Sequence, residues 1–242
     1  MKYHSEAYNK VDETEQWIRL TDGCHRNCWN CYCPIETKVH PGPNIERNKV
    51  VILDMNFLYA HPNPLAVLEH LGSQKVKNKV VYYDFFCGVD FELLTPDICD
   101  LLKQGRFGRF NNKRKYAYGL RIAWDRSIKE QIKIQKALRM LEKAGYNSRN
   151  HQVFILANGR ISFIECVLKL EFLKVWNVEV ADCWYDNQLR GSVKPIYWTQ
   201  EECNWFGFLC RIHNQLIEYK MYPQLDWILR RVLKNENNSQ RY

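Results

Sequence analysis

No stretch of this 242-residue chain approaches the roughly 20 consecutive apolar residues that cross a bilayer as a helix. The N-terminus, Met1-Lys2-Tyr3-His4-Ser5-Glu6, is polar and lacks the apolar core of a signal peptide. These two absences set the expectation of a soluble, cytoplasmic protein with no membrane partner. Internal repeats, low-complexity segments and inter-domain linkers are also missing. The second Cys-x-x-Cys pair that a zinc ribbon needs is absent as well. Against these absences stand ten cysteines, 46% hydrophobic residues and 14% aromatics. That composition belongs to a globular chain with a sizeable core, in one large domain or two small ones. A chain so rich in core residues needs no disulfide scaffold, and clustered thiols in a reducing compartment point to metal or catalysis. Lys and Arg number 35 against 27 acidic residues, a net charge of +8. A surface of that charge suits nucleic acid or a small anion and selects neither.

Six short runs rich in β-branched and aromatic residues read as buried parallel strands: residues 16–21, 49–54, 79–84, 119–124, 152–156 and 178–182. Helical segments are expected between them. Thr95 caps a helix opening on Pro96, and Gly105 stops it. Ile128, Ile132, Gln135, Leu138 and Leu141 lie near helical spacing ahead of Gly145. Residues 161–175 form another striped helix, and Thr199 with Glu202 makes a capping box before Trp205–Tyr219. Strand–helix units at intervals of about 30 residues give either an open doubly wound sheet or a partial (β/α)6 TIM-like barrel. Both architectures put functional loops at the carboxyl ends of the strands. The expected organisation is an N-terminal segment (1–15), a core (16–190), a C-terminal helical extension (191–234) and a tail (235–242).

The chemistry concentrates in Gly23-Cys24-His25-Arg26-Asn27-Cys28-Trp29-Asn30-Cys31-Tyr32-Cys33-Pro34, directly after the first strand run. Thiolates are soft ligands for zinc and iron–sulfur clusters. Three on one loop suffice for a cluster of four irons and leave one iron open. With Cys33 or His25 as a fourth donor, a closed zinc site is the alternative.

The spacing Cys24-x3-Cys28-x2-Cys31 after a first strand resembles the radical SAM superfamily, and the similarity runs from about Trp17 to about Asp182. The resemblance implies a [4Fe–4S] cluster held by Cys24, Cys28 and Cys31, with S-adenosylmethionine on the open iron. It further implies an external electron donor and formation of a 5′-deoxyadenosyl radical that attacks a substrate. RNA, a peptide or a small molecule all remain open as that substrate. Asn30, Asp54, Asn56 and Asp125 are the cofactor contacts it implies, Asp54 to Phe57 facing the methionine part. Asp125 and residues 155–158 would face the ribose and adenine. Two departures stand out: Asn30 occupies a position that is usually aromatic, and Asp54-Met55-Asn56 replaces the common Gly-Gly-Glu.

Other features have competing readings. Asp54, Asp84, Asp90, Asp125 and Asp182 fall at strand ends, where they serve a catalytic face or cap the next helix. The basic aromatic run 106–116 offers phosphate and base contacts, or is a solvated loop. Cys87 and Cys183 follow strands, whereas Cys99, Cys166, Cys203 and Cys210 are read as core thiols. A zinc-binding or iron–sulfur interaction protein without catalysis, and an RNA-binding protein, are the competing function classes.

Overall fold

In the computed structural model, the described residues are 7–29, 31, 33–110, 119–185 and 195–219. Two compact units emerge, Met1–Ala123 with Lys133–His151 and Trp124–Ile132 with Gln152–Tyr242. The chain is a mixed α/β protein whose sheets contain parallel strands, and no closed barrel forms among the described strands. Among the described residues no helix is long and apolar enough to cross a membrane.

The first unit is built on a four-stranded sheet. Its strands are β1 (Tyr8–Val11), β2 (Gln16–Arg19), β5 (Lys49–Ile52) and β8 (Tyr82–Phe85), in that spatial order. β2, β5 and β8 run parallel, so their carboxyl ends lie along one sheet edge, while β1 lies antiparallel to β2. Their inward residues, Ile18, Val50, Ile52, Tyr83 and Phe85, are buried. Phe107 stacks on Tyr83 at 4.8 Å and on Phe85 at 5.5 Å between ring centroids.

The first and third expected strands are each interrupted. Leu20 separates β2 from β3 (Thr21–Asp22), which pairs antiparallel with β4 (Lys38–Val39). β6 (Lys75–Val76) and β7 (Lys79–Val80) form a hairpin before β8. Its two turn residues, Lys77 and Asn78, both have positive φ, as a tight hairpin whose twist matches its strands requires. Among the described residues no helix follows the first parallel strand; the cysteine loop and the β3–β4 hairpin take its place. Later helices obey their signals. α1 (Phe57–Ala60) is a single turn after β5. In α2 (Pro64–Ser73), Asn63 accepts from the Ala66 amide. In α3 (Pro96–Gln104), Thr95 accepts from Ile98 and Gly105 closes the helix. β9 (Arg121–Ala123) ends this part of the unit and bridges in parallel to Val89 through Ile122.

In α4 (Gln131–Lys143) the buried stripe is Ile134, Ala137, Leu138 and Leu141. Ile132, expected on that stripe, is 72% exposed, and Ile128 belongs to a preceding 3-10 turn capped by Ser127. The apolar spacing is right; its phase is set by where the helix starts.

The second unit pairs β10 (Gln152–Ala157) in parallel with β11 (Glu179–Trp184) over six residues. α5 (Phe163–Val175), capped by Ser162, joins them. α6 (Gln200–Tyr219) opens on the expected reciprocal cap, the Thr199 amide donating to Glu202 at 2.6 Å and the Glu202 amide to Thr199 Oγ1 at 3.2 Å. Two buried polar residues tie its loops. Asn158 Oδ1 accepts from the amides of Ile196, Tyr197 and Trp198, and its Nδ2 donates to the Tyr185 carbonyl. Lys169 is wholly buried, its ammonium donating to the carbonyls of Trp124 and Arg126 over the Trp124 ring. Burial lowers its pKa, since the interior disfavours the charged form.

Candidate metal centre

The cysteine loop leaves the sheet where β2 gives way to β3. Gly23 starts it at φ +108°, and a Cβ there would meet Glu36 O at 2.6 Å and Thr37 Cα at 2.8 Å. Only glycine accommodates both the backbone angle and that approach. The far side closes where the Cys24 amide donates to Pro34 O at 2.9 Å, and an inner turn forms as Cys31 N donates to Cys28 O at 3.0 Å.

Three strand ends of the first unit hold this loop. Asp54, just past β5, is 1% exposed. Its Oδ1 accepts from the Leu20 amide at 2.8 Å and its Oδ2 from Thr21 Oγ1 at 2.6 Å. Burial pushes its carboxyl up to about 6, with the Thr21 and Leu20 hydrogen bonds opposing. Asp54 therefore clamps the root of the cysteine loop and caps no helix.

Asn56, at the N-cap of α1, donates through Nδ2 to Cys24 Sγ at 3.3 Å and to Asp90 Oδ2 at 2.9 Å. The Asp90 carboxylate fixes this orientation, because a flipped amide would set oxygen against oxygen. Asn56 Oδ1 is then left buried and without a partner among the described residues. Asp90 also caps the turn after β8, accepting from the Glu92 amide at 3.1 Å. It receives Arg26, from inside the Cys24–Cys28 spacing, on both carboxylate oxygens. Arg26 reaches Glu92 at 3.1 Å and stacks on Phe91 at 4.8 Å. Burial works against the charge on Asp90, but Arg26 and Asn56 together hold its pKa below the ordinary range. His25 packs its ring on Tyr59 at 4.4 Å.

The remaining thiols divide. Cys33 N donates to Cys31 Sγ at 3.4 Å, and the Cys33 and Cys31 thiols hydrogen-bond one another. That bond and burial raise the Cys33 pKa, while the Gly23 amide pulls it down. Cys87, beyond β8, donates to Leu53 O at 3.7 Å. Burial pushes it up to about 11, with Asp54 and Cys31 within electrostatic reach. Cys99, Cys166, Cys203 and Cys210 are buried core thiols, as expected. Cys183 lies in β11, pushed up to about 12 by burial.

Among the described residues, no three His, Cys, Asp or Glu side chains are gathered so as to hold a single metal ion. A ready tetrahedral ion site is therefore not formed there. The donor set itself is soft, with four thiols on a loop of ten residues from Cys24 to Cys33. One of these sulfurs takes a hydrogen bond from a buried amide whose oxygen is orphaned. Those features suit a thiolate-bound cluster, whose irons occupy separate corners rather than one point.

Of the other expected contacts, Asn30 lies outside the described residues. Asp125 belongs to the second unit, half-buried, in the segment whose carbonyls Lys169 grips; the cap of the following turn is Ser127. Asn158 acts as a structural tie. Asp84 pairs with Arg121 and accepts from the Phe110 amide at 3.2 Å, so it caps no helix. Asp182 accepts from Trp184 Nε1 at 2.8 Å. Within the basic run, Arg106 donates to the carbonyls of Gly72 and Val81, and buried Arg109 to Asn150 O. Phe107 is core, and residues 111–116 lie outside the described residues. The described half of that run is thus engaged in packing and in hydrogen bonds to backbone carbonyls.

Sequence reasoning missed the Arg26–Asp90 pair and the Asn56 bridge to Cys24. Both join positions more than 30 residues apart, and no local spacing encodes them. Compared with family models, with curated proteins and with solved structures, the chain matches none.

Proposed function

We propose that this chain is a radical SAM enzyme, in which Cys24, Cys28 and Cys31 hold a [4Fe–4S] cluster. Its parallel strands would then belong to a partial (β/α)6 barrel. The observation that carries the reading is the cysteine loop at the carboxyl end of the first parallel strand, with Asn56 joining Cys24 Sγ to Asp90 and keeping a buried, unpartnered Oδ1. Active sites of open and barrel α/β folds lie at that end of the strands.

Held by Cys24, Cys28 and Cys31, such a cluster would supply one-electron reduction of S-adenosylmethionine, the chemistry that yields a 5′-deoxyadenosyl radical for hydrogen abstraction from a substrate. The chain's own residues bind and orient. Cys24, Cys28 and Cys31 supply thiolates. Asn56 Nδ2 holds the Cys24 sulfur in one rotamer and partly neutralises its charge, a lever on cluster potential. Asn56 Oδ1 is free to accept from the amino group of the methionine moiety. Arg26, locked on Asp90, keeps the span between the first two cysteines from collapsing outward, and Asp54 pins its root. Asn30 and Asp125 are the remaining cofactor contacts of this reading.

The test is anaerobic reconstitution with iron and sulfide, then reduction in the presence of S-adenosylmethionine. About four irons per chain and release of 5′-deoxyadenosine are expected. Equal 5′-deoxyadenosine from a protein carrying Cys24→Ala, Cys28→Ala and Cys31→Ala refutes the mechanism. The contact between Cys33 and Cys31 favours one other reading, a structural zinc held by four thiolates. A colourless protein binding one zinc per chain is its signature.

A further inference from the structure

Cys33 stands outside the three-cysteine spacing, yet the loop folds it back onto that spacing. The bond from Cys24 N to Pro34 O closes the loop one residue beyond it. Its backbone amide reaches Cys31 Sγ at 3.4 Å, its thiol hydrogen-bonds the same sulfur, and the Gly23 amide points at its own sulfur. Cys24 is within electrostatic reach. Cys33 thus lies against Cys31 while half-buried at the loop mouth, where its sulfur is accessible to the same centre.

We propose that Cys33 is a fourth, exchangeable thiolate of the same centre, covering in the resting protein the iron that three cysteines leave open. This rests on the cluster reading above. Binding forms one sulfur–iron bond and releases the Cys33 proton to solvent. Displacement by a chelating ligand breaks that bond and returns a proton to the sulfur, and no electron is transferred in either direction. A thiol on the same short loop has a high effective concentration at the open iron, so it wins over water. An amino acid group binding through two atoms competes with it on better terms than any single donor.

The experiment maps alkylation by iodoacetamide, cysteine by cysteine, through peptide mass spectrometry. It compares the metal-free protein, the protein loaded anaerobically with iron and sulfide, and the loaded protein with S-adenosylmethionine added. Loading should slow alkylation of Cys33 more than about tenfold, in step with Cys24, Cys28 and Cys31, because a metal-bound thiolate is not a free nucleophile. Added S-adenosylmethionine should restore Cys33 reactivity and leave the other three protected. Cys33→Ala should keep its iron but change the electron paramagnetic resonance spectrum of the reduced protein before S-adenosylmethionine is added. Protection of the three with Cys33 equally reactive in both forms overturns this inference and leaves the cluster reading standing. Protection of all four by a single zinc makes Cys33 a ligand but overturns exchange and the cluster together. Failure of the protein to take up any metal removes both.

Discussion

Replacing Asp54 by Asn tests the physical account of how the cysteine loop is rooted. The carboxyl is 1% exposed and titrates at about 6, against an ordinary value of 3.8. A folded-state pKa above the unfolded one means the group's stabilising contribution is fully present below about pH 4. It is lost as pH rises through about 6. A shift of about 2 units at about 1.4 kcal/mol per unit makes the ionised carboxylate cost about 3 kcal/mol at neutral pH. Roughly 2 kcal/mol of this falls between pH 4.5 and 7. The substitution removes the charge and keeps a carbonyl for the Leu20 amide, while the Thr21 hydroxyl turns to accept from the new amide. Urea unfolding of both proteins, followed by circular dichroism at pH 4.5 and pH 7, gives the double difference, in which other titrating groups cancel. The Asp54→Asn protein should gain about 2 kcal/mol relative to the parent on going from pH 4.5 to 7. If the gap between the two proteins is the same at both pH values, the buried-carboxylate argument is wrong.

Three further outcomes follow from the contacts. Asn56→Ala, which removes the hydrogen bond to Cys24 Sγ, should weaken metal affinity roughly 10- to 100-fold in chelator competition, the usual cost of losing a ligand's hydrogen-bond partner. Gly23→Ala forces a Cβ into the Glu36 carbonyl at a positive φ. It should abolish metal loading even where circular dichroism shows the sheet retained. Asn158→Ala strips three amides of their acceptor and should cost on the order of 3 kcal/mol in denaturant unfolding. Asn158→Asp, which keeps the acceptor, should recover most of that loss.

The elements most legible in the sequence were those whose signals are local. Thr95, Pro96 and Gly105 mark both ends of α3, and the Thr199–Glu202 box marks the start of α6. The six β-rich runs all contain strands. β1 was not legible, because Tyr8–Val11 has no buried alternation and becomes a strand only by pairing with β2. Among the described residues no helix follows the first parallel strand, since a loop crowded with cysteines and turns has no apolar stripe to bury. In the site, the cysteine cluster was readable from spacing, and its supports were not. Asp54, read as either a cap or a cofactor contact, serves the backbone of Leu20. Asp90, read as a strand-end carboxylate that serves a catalytic face or caps a helix, is the hub joining Arg26 to Asn56. The aromatic residues of α6 split as helical periodicity dictates. Phe206 is fully buried, while Trp205 and Phe208 stay about 40% exposed.

One consequence of β1 reaches beyond stability. Its register along β2, Tyr8 opposite Arg19 through Val11 opposite Gln16, places it at the border of the four-stranded sheet. Tyr8, Asn9 and Lys10 are exposed there, so the sheet ends on a charged, water-facing strand that gives another chain little to pair against.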